Sequence, residues 1–404
     1  MSLAAHTGCQ TFCEGAGRKP WRAAAFCFFF FILRMAGADT ELSETNLIPQ
    51  NAKLWTESML WGEQIGVYSG IGYNNNVFLS AFNPRGSGFF VNGLDAAITR
   101  VPLDGWQVVA GVAGDDIRYW HTVAGPGNVN TSREDSFLAT VTGERELPYD
   151  WQAGLEARGL YEHQVLDVSL STALPATALV EGYGITGQPY VRKNLPAGFW
   201  LKLEFPVTRW LLAEPLDDYW EFGPIVTAGH DFGTRGDVTL SYGFSYERHD
   251  QWVALDAVGE PLPQRLEIAQ HRAELAWHQY WDTHRYLRSS TRLVFAYNVD
   301  NGGGIFNYYQ YQAIEDLRWG PEGWQFIGSA QVAYESYPVQ GVGILNGQKL
   351  YRDLLSLSLE VQRRLVKDWK CFGKVEYQWA NSNEALNADD YQGTTISGGL
   401  RFEF

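Results

Sequence analysis

Oppositely charged residues recur two or four positions apart along this chain: Glu156 with Arg158, Lys202 with Glu204, Arg272 with Glu274, Glu360 with Arg364, and Lys374 with Glu376. Even spacing puts both members of a pair on one face of a β-strand. Arg292 and Arg401 add further positive charges. The chemistry open to such residues is electrostatic rather than covalent. They either brace a wet wall by ion pairing or impose a field that discriminates between solutes. Ion pairs in a high dielectric stabilise little, so bracing alone is a modest role.

Residue sets for making and breaking bonds are missing. There is no Gly-x-Ser-x-Gly elbow. His121, His163, His230, His249, His271, His278 and His284 are dispersed, and none is spaced to pair with a nucleophile. No Cys/His cluster offers metal-ligand spacing. The sequence therefore predicts no catalytic residues, no metal site and no cofactor.

The segments that carry the charged pairs read as strands. In 352–364, Leu355, Leu357, Leu359 and Val361 alternate with Ser356, Ser358, Glu360, Gln362 and Arg364. In 372–379, Val375, Tyr377 and Trp379 alternate with Lys374, Glu376 and Gln378. Segments 238–247 and 268–278 do the same, the second placing His278 on the polar face and His271 on the apolar one. Period two, with one face wet, excludes a helix. Tight turns rich in Gly, Pro and Asp fall at 103–105, 148–150, 196–198, 233–236, 282–284, 320–323 and 367–368. Longer polar connections fall near 74–88, 121–132, 164–186, 209–216, 251–264, 299–303, 337–348 and 381–389. Short and long connections alternate strictly, which implies about 16 strands.

This pattern predicts an all-β chain, a transmembrane antiparallel up-and-down β-barrel with both termini on the short-turn rim. A large soluble sandwich or propeller would need a dry inner face or a blade repeat, and no repeat is present. A barrel of this width leaves an aqueous lumen. Polar faces must line it, because lipid cannot solvate them. Glu156, Arg158, Lys202, Glu204, Arg272, Glu274, Arg292, Glu360, Arg364, Lys374 and Glu376 are thus the expected pore-lining residues, with Arg401 beside them. Trp106, Trp151, Phe199, Tyr286, Trp324 and Trp369 each follow a tight turn, as an interfacial girdle requires.

The start of the chain fits an exported protein. Arg18, Lys19 and Arg22 precede an apolar run, Ala23 to Leu33, followed by Ala36-Gly37-Ala38. The run is too short for a membrane helix and reads as a cleaved signal peptide over 1–38. Segment 39–61 is then a short periplasmic stretch and 62–404 the barrel. Losing the signal removes four positive charges and one negative, moving the net charge from −15 to −18. Nucleic acid is excluded as a partner by that sign. Only Cys371 survives cleavage, so no internal disulfide can form. The mean hydropathy of −0.24 is too polar for a helical membrane protein and suits a barrel.

The final strand, Thr395 to Phe404, sets Ile396, Leu400, Phe402 and Phe404 opposite Ser397, Arg401 and Glu403. Its terminal Phe404 resembles the closing strand of Gram-negative outer-membrane barrels, which implies recognition by the barrel-assembly machinery. Gly70-Ile71-Gly72-Tyr73-Asn74-Asn75-Asn76-Val77, ahead of an alternating strand, resembles the first hairpin of a family of β-barrel porins, some encoded near exopolysaccharide export systems. Segment 164–186 is apolar for a loop, with only Asp167 and Glu181 charged. It resembles the inward-folded third loop of general porins, although it lacks their usual acidic motif. Asp167 and Glu181 are then expected to form a constriction opposite wall arginines. A loop packed across the outer mouth or against a neighbouring barrel is the alternative.

These readings imply a passive channel of the cell outer membrane for small hydrophilic solutes. An export or assembly conduit for exopolysaccharide or lipoprotein, and a closed structural barrel, are the competing expectations. Outer-membrane lipid and lipopolysaccharide are the expected surroundings. Asp115-Asp116, Asp217-Asp218 and Asp389-Asp390 either bridge divalent cations to lipopolysaccharide or are solvated loop charge. A homo-oligomer is left open, since a flat apolar contact face and a lipid-facing one look alike in sequence.

Overall fold

The computed structural model describes residues 61–100, 105–125, 130–167, 177–214, 216–342, 348–383 and 390–404. The expected signal peptide and nearly all of 39–61 lie outside the described residues. Eighteen strand segments form one antiparallel sheet. They are β1 (Trp61–Asn74), β2 (Ser87–Arg100), β3 (Trp106–Ala124), β4 (Asn130–Leu147), β5 (Trp151–Asp167), β6 (Thr177–Asn194), β7 (Phe199–Glu204), β8 (Val207–Leu212) and β9 (Tyr219–Phe222). The series continues with β10 (Ile225–Asp231), β11 (Gly236–Leu255), β12 (Pro261–Tyr280), β13 (Leu287–Asp300), β14 (Tyr308–Trp319), β15 (Trp324–Gly341), β16 (Lys349–Val366), β17 (Trp369–Ser382) and β18 (Tyr391–Glu403).

β7 and β8 both pair with β6 and form one stave, parted at Phe205-Pro206. β9 and β10 both pair with β11 and form another, parted at Gly223-Pro224. The staves therefore number 16, and β1 pairs with β18 as well as β2, which closes the cylinder. Closure is carried to the last residue, where Phe404 N donates to Ile65 O at 2.8 Å. Glycines permit this seam: a Cβ on Gly70 would lie 2.6 Å from Gly398 O.

The two breaks have one cause. Phe205 N donates to Pro189 O, Gly223 N to Pro206 O and Phe244 N to Pro224 O, at 3.1, 3.3 and 3.0 Å. A proline has no N–H to return the second bond of each pair. Three half-rungs thus run diagonally across neighbouring staves in mid-wall. In lipid a wholly unpaired backbone group costs several kcal/mol, and each half-rung forgoes one bond of its pair, so this line is a weak place in the wall.

Parity along each strand separates the two faces. The large exposed apolar residues share one register, from Leu155 and Ile185 through Leu240, Leu275 and Leu293 to Leu359, Val375 and Ile396. That register is the outside of the cylinder, and the charged register is the inside. No helix among the described residues is long and apolar enough to cross a membrane. The apolar outer band of the strands is what meets lipid.

Strands run further than the turn signals predicted. Gln164 to Asp167 pairs with Val180 to Thr177, so most of the expected loop 164–186 is a two-stranded ribbon and only 168–176 connects it. Likewise 209–212 belongs to β8, 251–255 to β11 and 261–264 to β12. Loop composition misled here because what makes each of these segments a strand is its pairing with a neighbouring segment.

Candidate functional site

The inner wall is built from the charged register. Arg158 Nη2 lies 2.7 Å from Glu156 Oε1, Lys202 Nζ 2.8 Å from Glu204 Oε1, Arg272 Nη2 2.8 Å from Glu274 Oε2 and Lys374 Nζ 3.0 Å from Glu376 Oε1. Each pair is two residues apart on one strand, so its charges lie along the wall and not across the lumen. Glu360 faces Lys374 in register and accepts from Gln362 Nε2 at 2.6 Å. Arg292 is buried, 3.6 Å from Asp316 Oδ2. Arg364 is exposed near the short-turn rim, opposite Lys370. Arg401 bridges Asp95 at 2.5 Å and Glu403 at 3.0 Å, and Lys370 meets the same Glu403 at 2.6 Å.

The wall also holds acids outside the expected pore-lining set, among them Asp115, which was expected as loop charge at the rim and lies within β3. Asp95, Asp115, Glu134, Glu144 and Glu162 of β2 to β5 all point inward by register. Tyr68 donates to Asp115, Tyr119 to Glu134 at 2.6 Å and Tyr190 to Glu144 at 2.7 Å. The alternation Glu134-x-Ser136-x-x-x-Thr140-x-Thr142-x-Glu144 was a visible signal for the β4 face. The arcs differ in balance. β2 to β5 carry these acids and Glu156 with Arg158 as a counter-charge, whereas on β16 to β18 Arg352, Arg364, Lys370, Lys374 and Arg401 outnumber Glu360, Glu376 and Glu403.

Two structures fill the long-loop mouth. The connection 75–86 folds inward, burying Val77 and Phe78 against Phe89, Val91 and Tyr119. The Asn triplet holds it. Asn74 Oδ1 accepts from Asn76 N, Asn75 Oδ1 accepts from Thr394 N, and Asn76 Nδ2 donates to Gln392 O at 2.8 Å and Ser80 O at 3.0 Å. Across the barrel, Trp252, Ala254 and Leu255 are buried at the end of β11, and Gly303 N donates to Leu255 O at 2.5 Å. Asp300 gathers the amides of Gly302, Gly304 and Phe306, and Gln340 Nε2 reaches Ile305 O at 2.6 Å.

The part expected of Glu181 in a constriction is not what this residue plays. Glu181 lies in β6 on the outer register with Tyr183 and Ile185, and accepts from Tyr161 Oη at 3.1 Å. It cannot oppose an inner-wall arginine. Asp167 ends β5 opposite Thr177, and 168–176 lies outside the described residues. Among the described connections 75–86 folds inward, a stretch whose sequence shows only a longer polar connection.

Trp106, Trp151, Phe199, Tyr286, Trp324 and Trp369 are exposed just after short turns, all but Tyr286, which precedes β13, on the outer register. Arg145 stacks over Trp106 and Arg363 over Trp324, at 5.1 and 5.0 Å from the ring centroids. His278 faces inward, 3.0 Å from Asp237, and His271 faces outward, bonded to Tyr242 Oη at 2.7 Å. The acid pairs have separate partners. Asp116 points outward to Arg118 at 2.6 Å, Asp218 pairs with Arg209, and Asp390 accepts from Ser382 N at 2.7 Å. Asp217 accepts from the amides of Gln251 and Trp252 at 2.8 and 2.7 Å. Burial pushes that carboxyl up, but the His249 ring 3.6 Å away and the bonds from these amides outweigh burial and hold it below the usual range. Asp389 lies outside the described residues. No group of three or more His, Cys, Asp or Glu among the described residues can hold a metal ion.

No protein-family model matches the chain, and no curated protein matches it. Solved structures do. Acinetobacter baumannii OccAB3 matches at 9% identity and TM-score 0.43, over 85% of this chain and 99% of that one. An anion-selective porin from Comamonas acidovorans matches at 11% identity and TM-score 0.40, over 85% and 100%. A bacterial polysaccharide outer membrane secretin matches at 10% identity and TM-score 0.40, over 85% and 98%.

Proposed function

We propose that this chain is a passive channel of the cell outer membrane, through which small hydrophilic solutes diffuse with a preference for cations. The observation that carries the reading is the inner wall. It is charged along its whole length and most acidic over β2 to β5, where Asp95, Asp115, Glu134, Glu144, Glu156 and Glu162 face the interior with Arg158 among them. Where one sign dominates an arc of wall inside a low-dielectric tube, that arc concentrates counter-ions and repels co-ions. Among the described residues the wall shows charged pairs and no nucleophile held by a base, so the role assigned to it is filtering. Outer-membrane lipid and lipopolysaccharide cover the outer band, the short turns face the periplasm, and Phe404 is presented to the barrel-assembly machinery.

A second reading, a closed structural barrel, is favoured by the inward-folded connection 75–86 and by the buried end of β11. Purified protein in a planar bilayer with a potassium chloride gradient separates the two. The channel reading requires discrete conductance and a reversal potential of the sign for cation preference. Absence of conductance would leave the closed barrel, and anion preference would reject the role given to the β2 to β5 acids.

A further inference from the structure

β9 and β11 bring two glutamates face to face inside the barrel. Glu221 is the cross-strand neighbour of Glu247, and both lie on the inner register, since Trp220, Phe222, Leu240 and Tyr242 are exposed on the outer one. The ladder's phase is fixed by Phe244 N to Pro224 O and Asp250 N to Asp218 O, at 3.0 and 2.9 Å. Bonded and non-bonded pairs alternate in an antiparallel ladder, so Glu221 and Glu247 occupy a non-hydrogen-bonded pair. That is the pair type with the closest side chains, and like charges in it repel.

At Glu247 the usual remedies are not in place. Glu247 is only 3% exposed, so water screens it poorly. Its Oε2 has no hydrogen-bond partner, and neither does Ser245 Oγ, two residues away on the same face. Arg272, an inward cation of the adjacent β12, sits level with Gly243 and is held by Glu274 at 2.8 Å. A proton shared between the two carboxyls would make Glu247 Oε2 a hydrogen-bonding atom and still leave Ser245 idle. A cation would use both. Thr208, opposite Glu221 on β8, adds a buried hydroxyl oxygen.

We infer that Glu221 and Glu247 hold a hard divalent cation of the calcium class between β9 and β11, with Ser245 Oγ as a further oxygen ligand. The donors are all oxygen, as such ions require, and two carboxylates make a weak site, on the order of 10⁻⁴ to 10⁻³ M. The inference is independent of whether the barrel conducts. A bound ion would clamp the stave that Gly223-Pro224 breaks, immediately beside the weak line in the wall.

The test is thermal unfolding of the purified barrel in detergent, first stripped with a chelator and then titrated with calcium chloride from about 10 μM to about 10 mM, a range bracketing such sites. Wild type should melt progressively higher as calcium rises. Glu247→Gln and Glu221→Gln should each lose that response, and in chelator each should melt no lower than wild type, because the repulsion is gone. Ser245→Ala should fold normally and need severalfold more calcium. A calcium response equal to wild type in both Gln variants would overturn the site, as would a wild type indifferent to calcium.

Discussion

Arg401 joins the last strand to the second through the first, and its removal gives a sharp prediction. Its guanidinium meets Asp95 at 2.5 Å and Glu403 at 3.0 Å, and lies over the Tyr68 ring at 5.9 Å. The Arg401 side chain is 18% exposed and that of Asp95 31%. This falls between an exposed pair, worth about 0–1 kcal/mol, and a buried one, whose breakage costs about 3–5 kcal/mol. Arg401→Met should therefore destabilise the barrel by about 2 kcal/mol, mostly by leaving Asp95 uncompensated. Asp95→Asn should cost less, because Arg401 keeps Glu403. In the double variant the Arg401→Met penalty should shrink, giving a coupling of about 1–2 kcal/mol, in the range measured for neighbouring residues. Urea titration of the folded barrel in lipid vesicles, followed by tryptophan fluorescence, measures all three. Coupling within about 0.3 kcal/mol of zero, the additivity expected of independent sites, would refute the claim that this pair fastens the closing seam.

Asn76→Ala removes the side chain that ties 75–86 to Ser80 and Gln392, and should raise single-channel conductance while leaving ion preference unchanged. Gly70→Val should lower the folded yield in electrophoretic heat-modifiability, since even a Cβ there would lie 2.6 Å from Gly398 O. Pro206→Ala supplies the N–H missing opposite Gly223. The gain of about 1 kcal/mol is largely offset by about 0.4–1 kcal/mol of unfolded-state entropy, so stability should barely move while the amide gained at position 206 becomes protected from hydrogen exchange. Asp217, held below the usual carboxylate range, stabilises its loop fully above about pH 4 and loses that contribution as acid brings the pH down through its folded value. Asp217→Asn should flatten the acid-side decline in protection of the Gln251 and Trp252 amides, and an unchanged decline would assign it to another group.

The fold was legible because period two is local. Leu355 to Arg364 and Val375 to Gln378 declare their two faces without reference to any neighbour, and the seven short turns carry their own Gly, Pro and Asp. The stave count followed from turn alternation, and the proline breaks at Pro206 and Pro224 did not disturb it because each interrupts a stave without reversing it. Loop behaviour was not legible. Segment 164–186 looked like an apolar loop because its strand pairing depends on the partner segment. The inward fold of 75–86 depends on Asn75 and Asn76 finding Thr394, Gln392 and Ser80, two of which lie more than three hundred residues away in sequence. The facing of Glu221 onto Glu247 was hidden for the same reason, since register between staves is set by tertiary pairing.

The central claim is a cylinder with an apolar exterior and a hydrated interior. After Cys371→Ser, single cysteines placed through β16 from Leu354 to Gln362 and labelled with a membrane-impermeant thiol reagent in vesicles test it directly. Labelling should alternate with period two, strong at Ser356, Ser358 and Glu360 and weak at Leu355, Leu357 and Leu359, and the weak set should be quenched by lipid-borne spin labels when tagged with a fluorophore. Labelling without that alternation, or with the two sets reversed, would contradict the account.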